Sequence, residues 1–192
     1  DQSRNSGVSN AFLRKILDYY RFTDEQMKQI FEAIELDDLS DNIHINKVKD
    51  RLSKAIADNE KIFICGDYDA DGICATAMIV NFLRGKGNNC GYYIPNRLKD
   101  GYGLSANLVE QAKQKGYDLI ITVDNGIKAY DALELAHVYN IDVIILDHHI
   151  IEDHLDHELM IHPDLLPSSY QGLCGAGVVL QLIKAFDQDE PI

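Results

Sequence analysis

Apolar residues follow two regimes along this chain. Up to about residue 59 they recur every three or four positions: Phe12, Leu13, Ile16, Leu17 and Tyr20, then Met27, Ile30, Phe31 and Ile34, then Val48, Leu52, Ala55 and Ile56. Such spacing lays one apolar stripe along each of three helices. Ser9 is placed to cap the first, Thr23 followed by Asp24, Glu25 and Gln26 opens the second, and residues 42–58 form the third. From Lys61 onward the stripes give way to short unbroken apolar runs, among them Ile62-Phe63-Ile64-Cys65, Leu119-Ile120-Ile121-Thr122-Val123 and Val143-Ile144-Ile145-Leu146. The runs predict strands at 61–66, 90–95, 118–124, 142–147 and 159–162, with helices between and after them at 73–86, 105–115, 127–139 and 176–186. Strands and helices that alternate through short turns imply an α/β fold: a three-layer domain over 60–192, with a mostly parallel sheet of about five strands covered on both faces. A helical N-terminal arm over 1–59 precedes it, and its stripes read as packing surface.

Composition narrows the functional classes. The 192 residues allow one full domain with a small appendage, and 46% hydrophobic with 26% charged residues is ordinary for a globular protein. Eighteen basic against thirty-one acidic residues give a net charge of −13, which argues against a broad electrostatic grip on nucleic acid by this chain alone. Cys65, Cys74, Cys90 and Cys174 are scattered with no C-x-x-C spacing, which points to reduced thiols and a cytoplasmic location. No apolar run reaches the roughly 20 residues of a membrane span, so no membrane association is expected.

The chemistry lies where the strands stop. Ile62–Cys65 runs into Gly66-Asp67-Tyr68-Asp69-Ala70-Asp71-Gly72, Leu119–Val123 delivers Asp124, and Val143–Leu146 delivers Asp147-His148-His149. In an open parallel sheet these ends converge on one edge, where ligands bind. Carboxylates crowded there need a cation to be tolerable. Mixed carboxylate and imidazole donors suit Mn2+ or a similar ion. An EF-hand also opens Asp-x-Asp-x-Asp-Gly, but Met78 falls where its bidentate Glu belongs and a β-run replaces its leading helix. His149-Ile150-Ile151-Glu152-Asp153-His154 misses the inverted zinc-protease spacing by one residue, and His154 and His157 read as loop decoration.

Two glycine-rich stretches and one arginine complete the candidates. Gly101-Tyr102-Gly103-Leu104-Ser105-Ala106 fits a dinucleotide fingerprint, yet Pro95–Asp100 separates it from its strand. Gly175 and Gly177 open the last helix, where free backbone N–H groups could receive a phosphate or the glycines could simply permit tight packing. Arg97, near the acidic edge, has the guanidinium geometry to grip a phosphate oxygen.

Asp67-Tyr68-Asp69-Ala70-Asp71-Gly72, Thr122-Val123-Asp124-Asn125-Gly126 and Asp147-His148-His149 together resemble the DHH phosphoesterase superfamily. Ile94-Pro95-Asn96-Arg97 with Asp100–Ser105, and Cys174-Gly175-Ala176-Gly177-Val178, are similar to its RecJ branch of single-strand-specific exonucleases. The resemblance runs from about Lys61 to Phe186. It implies two Mn2+ or Mg2+ ions and hydrolysis of phosphodiesters from a 5′ end of single-stranded DNA. By motif position Asp69, Asp71, Asp124 and His148 would be metal ligands and Asp67 an additional ligand or supporting group. His149 would face the substrate phosphate and Arg97 would hold the terminal 5′-phosphate. RecJ-type proteins carry a further metal-binding Asp, a long helix, a second domain and an oligonucleotide-binding fold beyond the Gly-Ala-Gly helix, so the chain is expected to be an N-terminal piece of a longer protein.

The resulting expectation is two-metal phosphodiester hydrolysis, with Asp71 or Asp124 bridging the ions and His149 stabilising charge or protonating the leaving oxygen. Rival substrates within the superfamily are short RNA oligonucleotides, cyclic dinucleotides and pyrophosphate. Two other classes stand against hydrolysis: a non-catalytic replication or repair scaffold of the same fold, and a nucleotide-binding module using Gly101 and Gly103.

Overall fold

The computed structural model describes residues 7–23, 36–96, 101–152 and 156–187. The chain divides into two compact units, residues 1–36 and 37–192. The described part of the first is helix α1 (Gly7–Tyr19) with the short stretch that follows it. This helix has already begun before Ser9, so Ser9 lies inside it and not at the expected N-cap position. The second expected helix, opening at Thr23, falls on 24–35, outside the described residues.

The second unit opens with helix α2 (Ile43–Ala57), capped by Asn42, whose side chain accepts from the His44 and Ile45 amides. Strand β1 (Ile62–Cys65) leads to helix α3 (Ala70–Gly85), and strand β2 (Gly91–Tyr93) to helix α4 (Ala106–Gln114). Strand β3 (Leu119–Val123), helix α5 (Tyr130–Val138), strand β4 (Asp142–Leu146), strand β5 (Met160–Ile161) and helix α6 (Gly175–Asp187) follow. The five strands pair in the order β2-β1-β3-β4-β5, all parallel. The expected α/β sheet is therefore present. Helix α3 starts three residues earlier than the periodicity suggested because the Asp69 carboxylate caps it through the Gly72 amide.

Consecutive strand residues face opposite layers. Ile62, Ile64, Leu119, Ile121, Val123, Ile144 and Leu146 point into a core shared with α2, α3 and α6. Phe63, Cys65, Ile120, Val143 and Ile145 point into a second core under α4 and α5. Both faces are thus buried, which is why the strands read as unbroken apolar runs rather than alternating ones. Truncating a fully buried side chain such as Ile121 to Ala would cost about 2–5 kcal/mol. The expected boundary near residue 59 cuts through this unit: Ile45, Val48, Leu52 and Ala55 of α2 are part of the first core, and the unit begins at Asp37. A stripe fixes which face of a helix is buried but not what buries it.

Candidate metal centre

The strand order reverses between β1 and β3, the position in a doubly wound sheet where the carboxyl ends of neighbouring strands part and leave a crevice. Asp67 and Asp69 follow β1, Asp124 follows β3, and Asp147, His148 and His149 follow β4. Among the described residues two groups of ligand atoms result, each with all members within 4.8 Å of one another: Asp67, Asp69 and Asp124, and Asp124, His148 and His149. Asp124 belongs to both.

Each acid is placed by a different local device. Gly72, in the first turn of α3, sits so close to the Asp67 backbone that a Cβ there would lie 2.7 Å from the Asp67 carbonyl oxygen; only glycine lets the loop fold back this tightly. Asp124 leaves β3 with φ 60°, in the left-handed region where Asp and Asn are the tolerated non-glycine residues. Asp71 points at helix α6, where both carboxylate oxygens accept amide bonds, from Gly175 (2.6 Å) and Ala176 (2.9 Å). Its Oδ2 also lies 3.5 Å from His148 Nε2. The Gly175 amide is therefore committed to Asp71 and is not the free phosphate donor that the sequence allowed. Both glycines permit close packing. A Cβ on Gly175 would lie 2.7 Å from Asp124 Oδ1, and one on Gly177 would lie 2.9 Å from the Leu173 side chain.

Asp147 is buried and fully engaged. Its Oδ1 accepts from the His148 amide (2.7 Å), the His149 amide (3.2 Å) and the His149 ring at Nδ1 (2.7 Å), while Oδ2 accepts from the Ile127 amide (3.2 Å). Holding Nδ1–H this way leaves His149 Nε2 as the unprotonated nitrogen of the neutral ring, with the Tyr102 hydroxyl 3.3 Å from Nε2 and 3.4 Å from Nδ1. Tyr102 in turn donates to the Asp124 carbonyl at 3.0 Å. Buried His162 donates from Nε2 to the His149 carbonyl at 2.9 Å and accepts from the Asp164 amide at Nδ1, so it supports the backbone beside the site.

Electrostatics separate the carboxylates. Burial, reinforced by the charges of Asp71 and Asp69, pushes the Asp124 carboxyl up to about 7. Burial likewise raises Asp67, with Asp69 and Asp147 adding to it against a hydrogen bond from the Tyr68 amide. At Asp71 burial acts upward, but the bonds from Ala176, Cys174 and Gly175 and the charge of His148 outweigh it, and the net shift is downward. His149 is the reverse case: burial pulls it down, while its bond to Asp147 and the surrounding carboxylates carry it above the usual imidazole value.

The donor set fits a divalent cation on two structural grounds. Among the described residues Asp67 Oδ1 and Asp124 Oδ1 are buried with no hydrogen-bond donor, a costly state for a carboxylate oxygen unless a cation meets it. His148 Nε2 approaches Asp124 Oδ1 to 3.1 Å without forming a hydrogen bond. That separation is slightly longer than the edge of about 2.8–3.0 Å of an octahedron with bonds of about 2.0–2.1 Å, close enough for both atoms to face one cation. Asp67, Asp69, Asp124, His148 and His149 are therefore gathered as expected, with Asp71 reaching them through His148. Arg97 lies outside the described residues, as does His154. His157 is half-buried, its Nε2 2.7 Å from the Val143 carbonyl, and it does not decorate a solvated loop. Asp147, Tyr102 and Asn125 lie inside the sequence motifs, but the motifs assign them no role of their own. The only signal for Asp147 is its place before the two histidines.

A parallel sheet whose switch point collects carboxylates and imidazoles defines an α/β domain of the ligand-gathering kind. Residues 61–192 match the DHH family, N-terminal domain, and the chain belongs to that family. Among curated relatives it is 43% identical over 145 residues to the single-stranded-DNA-specific exonuclease RecJ of Dickeya dadantii, a match covering 73% of this chain and 25% of the relative. It is 38% identical over 144 residues to the RecJ of Bacillus subtilis, covering 73% and 18%. The chain thus spans about a fifth to a quarter of the length of such relatives. The crystal structure of exonuclease RecJ bound to manganese aligns with a TM-score of 0.71 at 31% identity, covering 83% of this chain and 40% of that one. RecJ from Thermus thermophilus in complex with Mn2+ aligns with a TM-score of 0.68 at 26% identity, covering 90% and 24%.

Among the described residues no helix is long and apolar enough to cross a membrane.

Proposed function

We propose that this chain supplies the metal-binding DHH domain of a divalent-metal-dependent exonuclease that removes nucleotides from the 5′ end of single-stranded DNA, acting in cytoplasmic DNA repair or recombination. The observation that carries the reading is Asp124: it has a buried carboxylate oxygen without a hydrogen-bond donor among the described residues, and it belongs to both groups of candidate ligands. The names of the relatives, and the manganese in two aligned RecJ structures, support the substrate and the ion.

In this reading Asp69, Asp71, Asp124 and His148 hold two Mn2+ or Mg2+ ions, with Asp67 as an additional ligand and Asp124 shared. The bound ions supply an activated water and charge stabilisation at the phosphoryl oxygens. Asp147 fixes His149 with Nδ1–H turned inward, so that Nε2 can hold or release a proton at a phosphate or leaving oxygen, a role worth about 10²–10⁴-fold. Tyr102 flanks that nitrogen, and Arg97 holds the terminal 5′-phosphate. The acidic balance of the chain, −13 overall, assigns most of the strand grip to surface elsewhere than the centre itself.

The test compares mononucleotide release from a 5′-phosphorylated single strand with turnover of a dinucleotide and a cyclic dinucleotide, in Mn2+, for wild type and Asp124→Ala. Strand degradation that drops at least about 100-fold in the variant is expected. Degradation within a few-fold of wild type would refute the site. Faster turnover of either dinucleotide than of the strand would refute the substrate.

A further inference from the structure

Asn125 is fully buried, and each polar atom of its side chain serves a separate stretch of backbone. Nδ2 donates to the Cys65 carbonyl at the end of β1 (3.0 Å) and to the Val123 carbonyl at the end of β3 (2.9 Å). Oδ1 accepts from the Leu104 amide (3.1 Å). Gly103, at φ 63°, lies flat against the same amide group; a Cβ there would sit 2.9 Å from Oδ1. Gly103 is thus accounted for by contact with Asn125, and Gly101 by its left-handed backbone at φ 82°.

The position matters because the sheet stops short of the site. The β1–β3 ladder ends at the pair Cys65 and Thr122, so its bonds do not set the spacing between the turn carrying Asp67 and Asp69 and the turn carrying Asp124. The Asn125 amide bridges that gap. Through Leu104 it also indexes the loop bearing Tyr102, whose hydroxyl bonds the Asp124 carbonyl and lies beside His149. An amide can do this where a carboxylate cannot, since two of its three partners are carbonyl oxygens that require a donor.

We propose that Asn125 is a positioning residue: it sets the span across which Asp67, Asp69 and Asp124 share a cation, and it couples that span to the Tyr102 loop. The inference rests on the metal-centre reading above. Mn2+ titration calorimetry on wild type, Asn125→Ala and Asn125→Ser tests it, with Val48→Ala, fully buried in the core under α2, as a control for loss of stability without disturbance of the site. All are measured well below their melting temperatures, and Asn125→Ser, whose hydroxyl replaces one of the three bonds, serves if the alanine variant does not fold. Weakening of Mn2+ affinity by about 10–100-fold in the Asn125 variants, with Val48→Ala unchanged, is the expected result. Amide exchange of 102–105 that slows with Mn2+ in wild type and not in the variants is the accompanying sign of coupling. Equal Mn2+ affinity in wild type and the Asn125 variants would overturn this inference and leave the metal centre standing. No saturable Mn2+ binding by wild type would overturn both.

Discussion

Replacing Asp124 by Asn should stabilise the metal-free protein while abolishing its response to metal. The buried carboxyl titrates at about 7 when folded, against an ordinary 3.8. It therefore holds its proton more tightly folded than unfolded, so stability falls as pH rises from about 4 to about 7 and stays flat above that. The rise from 3.8 to about 7 corresponds to about 4 kcal/mol. Asn mimics the protonated form, accepts the same left-handed backbone at φ 60°, and removes the repulsion with Asp71 and Asp69. Relaxation of those neighbours lowers the net gain to about 2–4 kcal/mol at about pH 8, or about 5–15 °C in melting temperature for a chain of this size. Near pH 4 the gain should vanish. The assay is thermal unfolding followed by circular dichroism, with chelator, at both pH values, and then with Mn2+. Wild type should gain about 2.7 kcal/mol at a hundredfold excess over Kd, and Asp124→Asn nothing. A variant that melts below wild type in chelator near pH 8 and still gains from Mn2+ would refute the reasoning.

Three further outcomes follow from single contacts. Asp147→Asn must turn an N–H toward one of four existing donors, so nuclease turnover should fall about 10²–10⁴-fold while calorimetric Mn2+ affinity holds within about threefold; equal losses in both would assign Asp147 to the metal instead. Gly175→Ala drives a methyl against Asp124 and should cost about 1–3 kcal/mol in urea unfolding, together with weakened Mn2+ binding; retention of both would show that α6 can back away. Under native conditions iodoacetamide should label the exposed Cys74 and Cys174 and spare the buried Cys65, whose thiol burial pushes up to about 12, and the buried Cys90, as read by peptide mass spectrometry.

The sheet and its acidic edge were legible for one reason. A strand buried on both faces must be apolar throughout, so Ile62–Cys65, Leu119–Val123 and Val143–Leu146 stand out, and whatever follows them lies at the ligand edge. Partners distant in the chain left no such mark. Nothing in Asp71 or Gly175 announces that they meet across 104 positions, and the docking of α2 on the sheet is equally invisible in its own stripe. Asp147 and Asp124 look alike as acids at strand ends. One is saturated by four hydrogen bonds and the other has an oxygen with none among the described residues, a difference decided by where neighbouring amides point. Asn125 reads as an ordinary turn residue because its three partners lie on three different segments.

The claim beneath all of this is that Asp69, Asp124 and His148 meet around shared cations. Anomalous diffraction at the manganese edge from crystals grown in Mn2+ measures that directly. The account predicts strong peaks within bonding distance of all three side chains, with Asp124 touching each occupied position. Crystals fully exchanged with Mn2+ that show no peak there, or peaks only on unrelated surface acids, would contradict it.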